Sequence, residues 1–196
     1  MASRKALNQC LVLPILLMNC FVLLGQCARP LNTEGEDLVT ATCKHTFHFE
    51  LCISTLRSVP ASKTSDLKVL GEIALNLSTT YAADTLSYVH ELQSNSSAAN
   101  YGSNNNIYAS RCLSDCAEEY SEAIENLKDS KEALADGDCD QVDTLVSAAM
   151  SDAETCEDGF KDMQSRDSDS TSPLTERNRC FSELCSNALA ITKLLI

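Results

Sequence analysis

The chain has 196 residues, a formal net charge of −13 at pH 7, eleven cysteines and no tryptophan. So acidic a chain argues against binding to nucleic acid or to an anionic membrane surface, and it allows a basic protein partner. Aromatic residues make up only 5% of the chain, and no long run alternates apolar with polar residues. We therefore predict one all-α domain.

The first 28 residues have the pattern of a secretory signal peptide. Arg4 and Lys5 precede an uncharged run, residues 6–28, that ends in small residues. A proline and an asparagine interrupt its apolar centre, whereas a membrane-spanning helix requires about 20 clean apolar residues. We predict cleavage after residue 27 or 28 and secretion of residues 29–196, whose formal net charge is −15.

Eight cysteines follow the predicted cleavage site, and in a secreted chain cysteines indicate disulfides before metal ligands. In one continuous helix Cys43 and Cys52 would lie about 13 Å apart, whereas a disulfide needs Cα atoms within about 7 Å. If they pair, residues 44–51 must fold back. Together with His45 and His48 they resemble a metal cluster in composition. Their spacing fits no common zinc site, so we predict no metal.

A long amphipathic helix is predicted next. Thr64 or Ser65 is its expected N-cap, with Asp66 in the first turn. Its apolar stripe consists of Leu67, Leu70, Ile73, Leu77, Tyr81, Thr85, Tyr88 and Leu92. Residues 94–106 are rich in Ser, Asn and Gly, and we interpret them as an exposed turn.

Residues 111–161 predict two antiparallel helices joined at a tip, which we call the stapled hairpin. The apolar positions of the first helix are Leu113, Cys116, Tyr120, Ile124, Leu127 and Leu134. Those of the second are Val142, Leu145, Val146, Ala149, Ala153, Cys156 and Phe160. Residues 135–138 break the pattern. Reflecting one helix onto the other about this break places Cys116 opposite Cys156, so a disulfide can join the two arms.

The last helix is predicted from about Leu174 to the end of the chain. One of its faces carries Leu174, Phe181, Leu184, Cys185, Ala188, Ile191 and Leu195. Four long amphipathic helices joined by polar loops predict an up-and-down four-helix bundle, which we place at residues 64–196. Residues 36–63 form an additional helical hairpin. Four cysteines stay unassigned, namely Cys112, Cys139, Cys180 and Cys185.

Nothing in the sequence predicts catalysis or a bound cofactor. The acids of the stapled hairpin's first helix alternate with its apolar positions, which is typical of a solvated helical face rather than of a general-acid pair. They are Glu118, Glu119, Glu122 and Glu125. No nucleophile elbow, P-loop, dinucleotide fingerprint or HExxH motif occurs. We predict that the protein is not an enzyme.

Two sequons for N-glycosylation are present. Asn95, in Asn95-Ser96-Ser97, falls within the predicted exposed turn and is the better candidate. Asn76, in Asn76-Leu77-Ser78, lies beside the apolar stripe of a helix and is the weaker candidate.

Four motifs together carry a family resemblance. In chain order they are Thr42-Cys43 with Cys52, Asp115-Cys116-Ala117-Glu118-Glu119-Tyr120, Ser147-Ala148-Ala149-Met150 with Thr155-Cys156-Glu157-Asp158-Gly159-Phe160, and Ser186-Asn187-Ala188-Leu189-Ala190. In this order and spacing they resemble the plant invertase and pectin methylesterase inhibitor family, over about Asp37 to Ile196. Residues 147–160 and 172–174 are most similar to the branch called "putative invertase inhibitors", which includes a plane-tree pollen allergen.

The resemblance implies a four-helix bundle with an N-terminal helical hairpin and the disulfides Cys43–Cys52 and Cys116–Cys156. It also implies a function: a secreted protein that binds and occludes a pectin methylesterase of the plant cell wall in a one-to-one complex. The implied compartment is the apoplast, with the vacuole as the other choice. The alternatives are inhibition of an acid invertase, and a secreted helical bundle or pollen protein without an enzyme target.

The tip of the stapled hairpin bears on the choice of target. In family members directed at invertase, Pro-Lys-Phe follows Gly-Asp and enters the sucrose site. Here Gly137-Asp138 is followed by Cys139-Asp140-Gln141, which contains neither the cation nor the aromatic ring. Esterase inhibitors of the family instead lay bundle helices across the esterase cleft. We therefore favour the esterase, and we expect partner contacts at Asp138, Asp140 and Gln141.

Overall fold

The structure is a computed structural model that describes residues 37–64, 66–98, 104–164 and 172–196. The predicted signal peptide lies outside these ranges. Within them the chain forms no strand. Its helices are α1 (Leu38–Cys43), α2 (Phe49–Ser58), α3 (Leu67–Ala98), α4 (Asn104–Asp136), α5 (Cys139–Gln164) and α6 (Thr175–Thr192), with 3-10 turns at Pro60–Thr64 and Lys193–Leu195. The predicted all-α fold is confirmed.

Helices α1 and α2 form the N-terminal hairpin. The Asp37 carboxylate caps α1 by accepting the Thr40 backbone N–H at 3.1 Å, and it also pairs with Arg57 at the end of α2. The chain turns back between the helices, which brings the Cα atoms of Cys43 and Cys52 to 5.6 Å in a disulfide. The disulfide and the ion pair therefore join the two short helices near both of their ends.

Helices α3 to α6 form an up-and-down bundle. Helix α3 packs against α4 and α6, and α5 also packs against α4 and α6, so α3 and α5 occupy opposite corners. Across the centre the rings of Tyr120 on α4 and Phe181 on α6 lie 5.5 Å apart and tilted. The N-terminal hairpin packs on the side formed by α3 and α6. The predicted bundle with an N-terminal helical hairpin and two disulfides is thus confirmed.

The buried stripe of α3 differs in phase from the predicted one. Four predicted core residues are only partly buried, namely Leu77, Tyr81, Tyr88 and Leu92. The other four, Leu67, Leu70, Ile73 and Thr85, are buried as predicted, and the rest of the buried face is formed by Ala74, Leu75, Ser78, Ala82 and Val89. The buried hydroxyls of Ser78 and Thr85 donate to backbone carbonyls one turn earlier, at 3.1 and 2.9 Å. Because these hydroxyls are satisfied within the helix, small polar residues can face the core.

Two predicted boundaries are wrong. The N-cap of α3 is Asp66 rather than Thr64 or Ser65, because the Asp66 carboxylate accepts the Val69 backbone N–H at 2.9 Å. The predicted exposed turn covered residues 94–106, of which residues 94–98 and 104–106 are helical, since α3 continues to Ala98 and α4 begins at Asn104, while residues 99–103 lie outside the described ranges. Ser and Asn each disfavour a helix by less than about 0.7 kcal/mol, so two long helices extend through them.

Asn187 attaches the N-terminal hairpin to the bundle. Its side-chain amide is almost fully buried on α6 and bonds both backbone groups of His48, which lies at the turn before α2. The Asn187 carbonyl oxygen accepts the His48 N–H at 3.3 Å, and its amide donates to the His48 carbonyl at 3.1 Å. This pair of bonds fixes where the turn of the hairpin sits against α6.

Candidate partner-binding surface

The negative charge of the molecule is concentrated on the stapled hairpin, which in the structure is the pair α4–α5. Residues 104–164 contain 16 acidic and four basic side chains. The other described residues contain eight acidic and seven basic ones. One edge of the bundle is therefore strongly acidic, and the opposite edge, which carries the N-terminal hairpin, is nearly neutral. A basic surface of a partner would be attracted to the acidic edge.

A disulfide in the core joins the two acidic helices. Cys116 on α4 and Cys156 on α5 are bonded, with Cα atoms 4.7 Å apart and nearly no exposure. Leu113 and Phe160 are buried in the turns beyond the disulfide, and Ala123 and Ala149 are buried toward the tip. The small alanines allow close approach of the two helices, and the disulfide fixes their register. The acidic edge is therefore rigid.

The tip between α4 and α5 is a tight turn that is closed by backbone hydrogen bonds. Gly137 has φ of 81°, a left-handed conformation that glycine adopts without strain. The Gly137 N–H donates to the Leu134 carbonyl at 3.2 Å, and the Asp138 N–H donates to the Ala133 carbonyl at 2.9 Å. These two bonds form the Schellman motif that ends α4.

The three predicted contact residues lie at this tip, exposed to solvent. The Asp138 carboxylate accepts the Gln141 backbone N–H at 3.0 Å and so caps α5. Asp140 lies in the first turn of α5, where a negative charge is stabilised by the helix dipole. Cys139 is the first residue of α5 and is half-buried. Residues 139–141 are thus already helical, and no extended segment projects from the tip.

A cross-helix cluster of carboxylates lies on the acidic edge. Burial raises the pKa of Asp152 on α5, and the charge of Glu122 raises it further, although a hydrogen bond from Asn126 at 3.1 Å opposes the shift. Burial also raises the pKa of Glu119 on α4, and the charge of Asp152 adds to this shift. Both carboxyl groups therefore keep their protons to a higher pH than an exposed carboxyl group does.

A buried polar network links the core to the surface between α5 and α6, and the sequence did not reveal it. The Tyr120 hydroxyl donates to the Asn178 side-chain oxygen at 2.8 Å. The Asn178 amide donates to Glu157 at 2.7 Å, and the Thr175 hydroxyl donates to the other Glu157 oxygen at 2.7 Å. Asn178 is 5% exposed. Its position within the buried stripe of the last helix was the one signal that could have identified it.

The four remaining cysteines form no disulfide among the described residues. Cys112 on α4 donates to the Gly159 carbonyl on α5 at 3.4 Å. Cys180 lies beside Tyr81, whose pKa is raised to about 12 by burial and by that thiol. Burial raises the pKa of the Cys185 thiol to about 12, so it stays protonated. Cys112 faces α5 while Cys180 and Cys185 face α3, which separates Cys112 from the other two.

The two predicted glycosylation sequons differ in their surroundings. Asn95 is exposed near the end of α3. Asn76 is also exposed, but it accepts a hydrogen bond from Lys131 at 3.1 Å. Ser78, the third residue of its sequon, is fully buried. In the folded chain Asn95 is thus the more accessible of the two.

The geometry offers no metal centre in the part of the chain that is described. Cys43 and Cys52 are bonded to each other, so neither sulfur is available to a metal beside His45 and His48. Over the described ranges, no cluster of three or more His, Cys, Asp or Glu side chains has the arrangement of a metal site. In the same ranges no helix is both long and apolar enough to span a bilayer.

Comparison with known proteins identifies the family. Residues 37–191 match the family described as plant invertase/pectin methylesterase inhibitor. A protein of Platanus acerifolia named "Putative invertase inhibitor" is 30% identical over 168 residues, 82% of this chain and 87% of that protein. A "Pectinesterase inhibitor" of Actinidia deliciosa is 27% identical over 167 residues, 85% of this chain and 84% of that protein.

A solved structure shares the fold. The crystal structure of a pectin methylesterase inhibitor from Arabidopsis thaliana is 26% identical to this chain and superposes with a TM-score of 0.57, covering 83% of this chain and 99% of that one. The family match covers both disulfides, the acidic edge and the tip. The family is one of proteinaceous enzyme inhibitors rather than enzymes. This chain is a member of the plant invertase/pectin methylesterase inhibitor family.

Proposed function

We propose that the protein inhibits a plant pectin methylesterase by binding to it in a one-to-one complex and occluding its active-site cleft. Family membership and the names of the relatives from Actinidia and Arabidopsis support an inhibitor of this class. The inhibitor supplies no catalytic group. Its contribution is a rigid helical surface whose binding excludes the substrate.

The closed tip of the stapled hairpin is the observation that carries the choice of target. A short peptide that enters a narrow sugar pocket must project from the surface. Here Gly137 ends α4 and Asp138 caps α5, so both residues of the turn serve to connect the two helices. No extended segment of the turn projects from the surface. The residues that follow Asp138, Cys139–Gln141, already belong to α5 and include neither a cation nor an aromatic ring. The surfaces available for binding an enzyme are therefore broad helical faces, and such faces suit an open cleft.

The acidic edge supplies the electrostatic part of the proposed recognition. With 16 acids against four bases, α4–α5 attracts a basic surface and speeds the encounter with it at low salt. Asp138, Asp140 and Gln141 lie at the end of this edge, and we place them at the border of the contact. Because the pKa of Asp152 is raised, its carboxyl group becomes neutral at a higher pH than an exposed one, and a neutral carboxyl group costs less to desolvate in a complex.

We also propose that residues 1–28 are removed as a signal peptide and that residues 29–196 act in the apoplast, with the vacuole as the alternative compartment. The charged start, apolar centre and small residues near Ala28 support this proposal. Expression of the full chain in plant cells tests it. We expect secreted protein that starts at Ala28 or Arg29, and a glycan on Asn95 rather than on Asn76. Protein retained in the cell with Met1 in place would contradict secretion.

Inhibition of an acid invertase is the second candidate. It is favoured by relatives named for this target, among them the 30% identical Platanus acerifolia protein and an Arabidopsis thaliana protein named "Cell wall / vacuolar inhibitor of fructosidase 2". In that case the helical turn Cys139–Gln141 would bind the enzyme without the cation and the aromatic ring that invertase-directed members of the family share. The two targets differ in substrate, so separate activity assays distinguish them.

Complex formation tests the proposal. Oxidised protein starting at Arg29 is mixed with a plant pectin methylesterase, and separately with a cell-wall invertase, near pH 5 to 6. Size-exclusion chromatography with light scattering then gives the mass of any complex. We expect a one-to-one complex with the esterase and free components with the invertase. A complex with the invertase alone would assign the other target.

A further inference from the structure

We propose that the groove between α5 and α6 receives an arginine or lysine side chain of the inhibited enzyme, and that Glu157 is the residue that binds it. This inference rests on the proposed function, because the donor of the cation is the partner in that complex. It assigns a specific contact to two of the acids on the α5 side of the acidic edge.

The groove is a distinct feature of the surface. It has a volume of about 490 Å³ and runs along the contact between α5 and α6. Glu154 and Glu157 line it from α5, while Thr175, Asn178 and Ser182 line it from α6. A groove of this volume is large enough for a long side chain, and the carboxylates that line it suit a charged head group at the end of an aliphatic stem.

The charges in the groove favour a cation. Two basic residues line it, but each is paired with an acid of its own helix: Lys161 with Asp158 at 2.9 Å, and Arg179 with Glu176 at 2.7 Å. Within the described part of the chain neither Glu154 nor Glu157 forms an ion pair. Besides Asp158, the charges of Glu157 and Glu154 also raise the pKa of Lys161, but neither of these two carboxylates has a direct ion-pair partner in the described ranges, so both are available to an added cation.

Glu157 is held in position by groups that reach into the core. One carboxylate oxygen accepts the Thr175 hydroxyl and the other accepts the Asn178 amide, each at 2.7 Å. Asn178 is itself fixed by the buried Tyr120 hydroxyl. All of these donors are neutral, and each Glu157 oxygen keeps a lone pair for a guanidinium or ammonium group. A carboxylate fixed before binding loses little conformational entropy when it binds.

Glu154 contributes charge without taking part in this network. It lies three residues before Glu157 on α5, on the same side of the helix, and is exposed. It forms no hydrogen bond with Tyr120, Asn178 or Thr175. Substitution of Glu154 therefore tests the charge of the groove while leaving the buried network intact.

The test measures the affinity of the oxidised mature protein for a pectin methylesterase near pH 6 at two salt concentrations. The variants are Glu157→Gln, Glu154→Gln and the double substitution. Glu91→Gln is the matched control, since Glu91 is exposed on α3, at the opposite corner of the bundle from α5. We expect Glu157→Gln to weaken binding by about tenfold or more and Glu154→Gln by roughly threefold, with Glu91→Gln unchanged. Binding of the double variant should also depend less on salt.

Melting curves separate a binding effect from a folding effect, and Glu154→Gln should leave the melting temperature unchanged. If the wild-type protein inhibits the esterase while the double variant binds equally tightly with the same salt dependence, the function stands and the assignment of the groove is wrong. If the wild-type protein does not bind the esterase at all, the proposed function fails, and this contact fails with it.

Discussion

Single buried polar side chains determine how the parts of this protein are positioned. Asn187 bonds the N–H and the carbonyl of His48, and Asn178 joins Tyr120 to Glu157. Both lie on α6 between buried apolar residues one turn away, Leu174 and Phe181 for Asn178, and Leu184 and Ile191 for Asn187. A buried amide is stable in such a place only when its donors and acceptors are satisfied, and here they are.

We expect Asn187→Ala to lower the free energy of unfolding by about 2 kcal/mol, because it removes two hydrogen bonds and takes away the partner of the His48 N–H. Asn76→Ala is the control, since Asn76 is exposed and the expected change is within about 0.5 kcal/mol. Urea unfolding followed by circular dichroism measures both. Equal stability of the two variants would show that Asn187 does not fix the N-terminal hairpin.

The Asp152 carboxyl group should make stability depend on pH. Its pKa is raised in the folded protein, so its contribution to stability is complete at low pH and is lost as the pH rises through the raised pKa. Asp152→Asn should therefore raise the free energy of unfolding at pH 7 and leave it unchanged at pH 3. The expected gain at pH 7 is about 0.5 kcal/mol, because solvent screens the charge of a half-buried group. Thermal melts at both pH values decide this. Asp129→Asn, exposed on the same edge, should change neither melt.

For single residues, the sequence predicted the burial of apolar residues and the pairing of cysteines well, and the burial of polar residues much less well. The stripe of the last helix was predicted correctly from Leu174 to Leu195, since all seven residues are buried. Ser78 and Asn178 were missed as core residues because a polar residue in an apolar stripe looks like an interruption, whereas Thr85 was included in the predicted stripe of α3 and is buried. Only the three-dimensional structure shows which carbonyl or side chain satisfies each of them.

The helices depend on two covalent constraints and on one glycine turn. The Cys116–Cys156 disulfide closes a 40-residue span, which on the chain-entropy account stabilises the fold by about 4 kcal/mol. We expect the double substitution Cys116→Ala with Cys156→Ala to lower the free energy of unfolding by about that amount. Cys112→Ala is the control, because Cys112 lies on the same helix and forms no disulfide. A loss no greater than that of the control would contradict the proposed role of the disulfide.

Two glycines of the stapled hairpin should respond to alanine with opposite signs. Gly137 has a left-handed conformation, so Gly137→Ala should destabilise by about 1 kcal/mol. Gly159 lies inside α5, where an added Cβ would meet only the Cys112 sulfur at an ordinary 4.0 Å. Gly159→Ala should therefore stabilise by about 0.5 to 1 kcal/mol. Unfolding curves of the two variants and the wild-type protein test this. A change in the free energy of unfolding with the same sign in both variants would contradict the geometry of the tip.

The periodicity of the sequence predicted the existence and order of the long helices, because each has an apolar face that must be buried. It did not predict where α3 ends and α4 begins. Residues 94–98 and 104–106 have a turn-like composition, yet they continue helices that are already formed, and extension of a helix costs far less than its nucleation. The sequence predicted a break in the helix at the tip, partly from Gly137, but it did not predict that α5 begins immediately after Asp138.

The molecule as a whole has an acidic edge, a polar groove beside it and a nearly neutral edge that carries the N-terminal hairpin. This arrangement suggests that α4, α5 and the groove between α5 and α6 face the enzyme. We expect the rate of association with the esterase to fall as salt increases, since screening weakens attraction between exposed charges. Stopped-flow measurements at several salt concentrations would show this. A rate that does not depend on salt would mean that the acidic edge points away from the enzyme.

Inhibition at stoichiometric concentration tests the central claim most directly. The oxidised protein starting at Arg29 is titrated into a fixed amount of plant pectin methylesterase, and in parallel into a cell-wall invertase, near pH 5 to 6. We predict that esterase activity falls to its end point at one equivalent while invertase activity is unchanged. Esterase activity that survives a several-fold excess of the inhibitor would contradict the account.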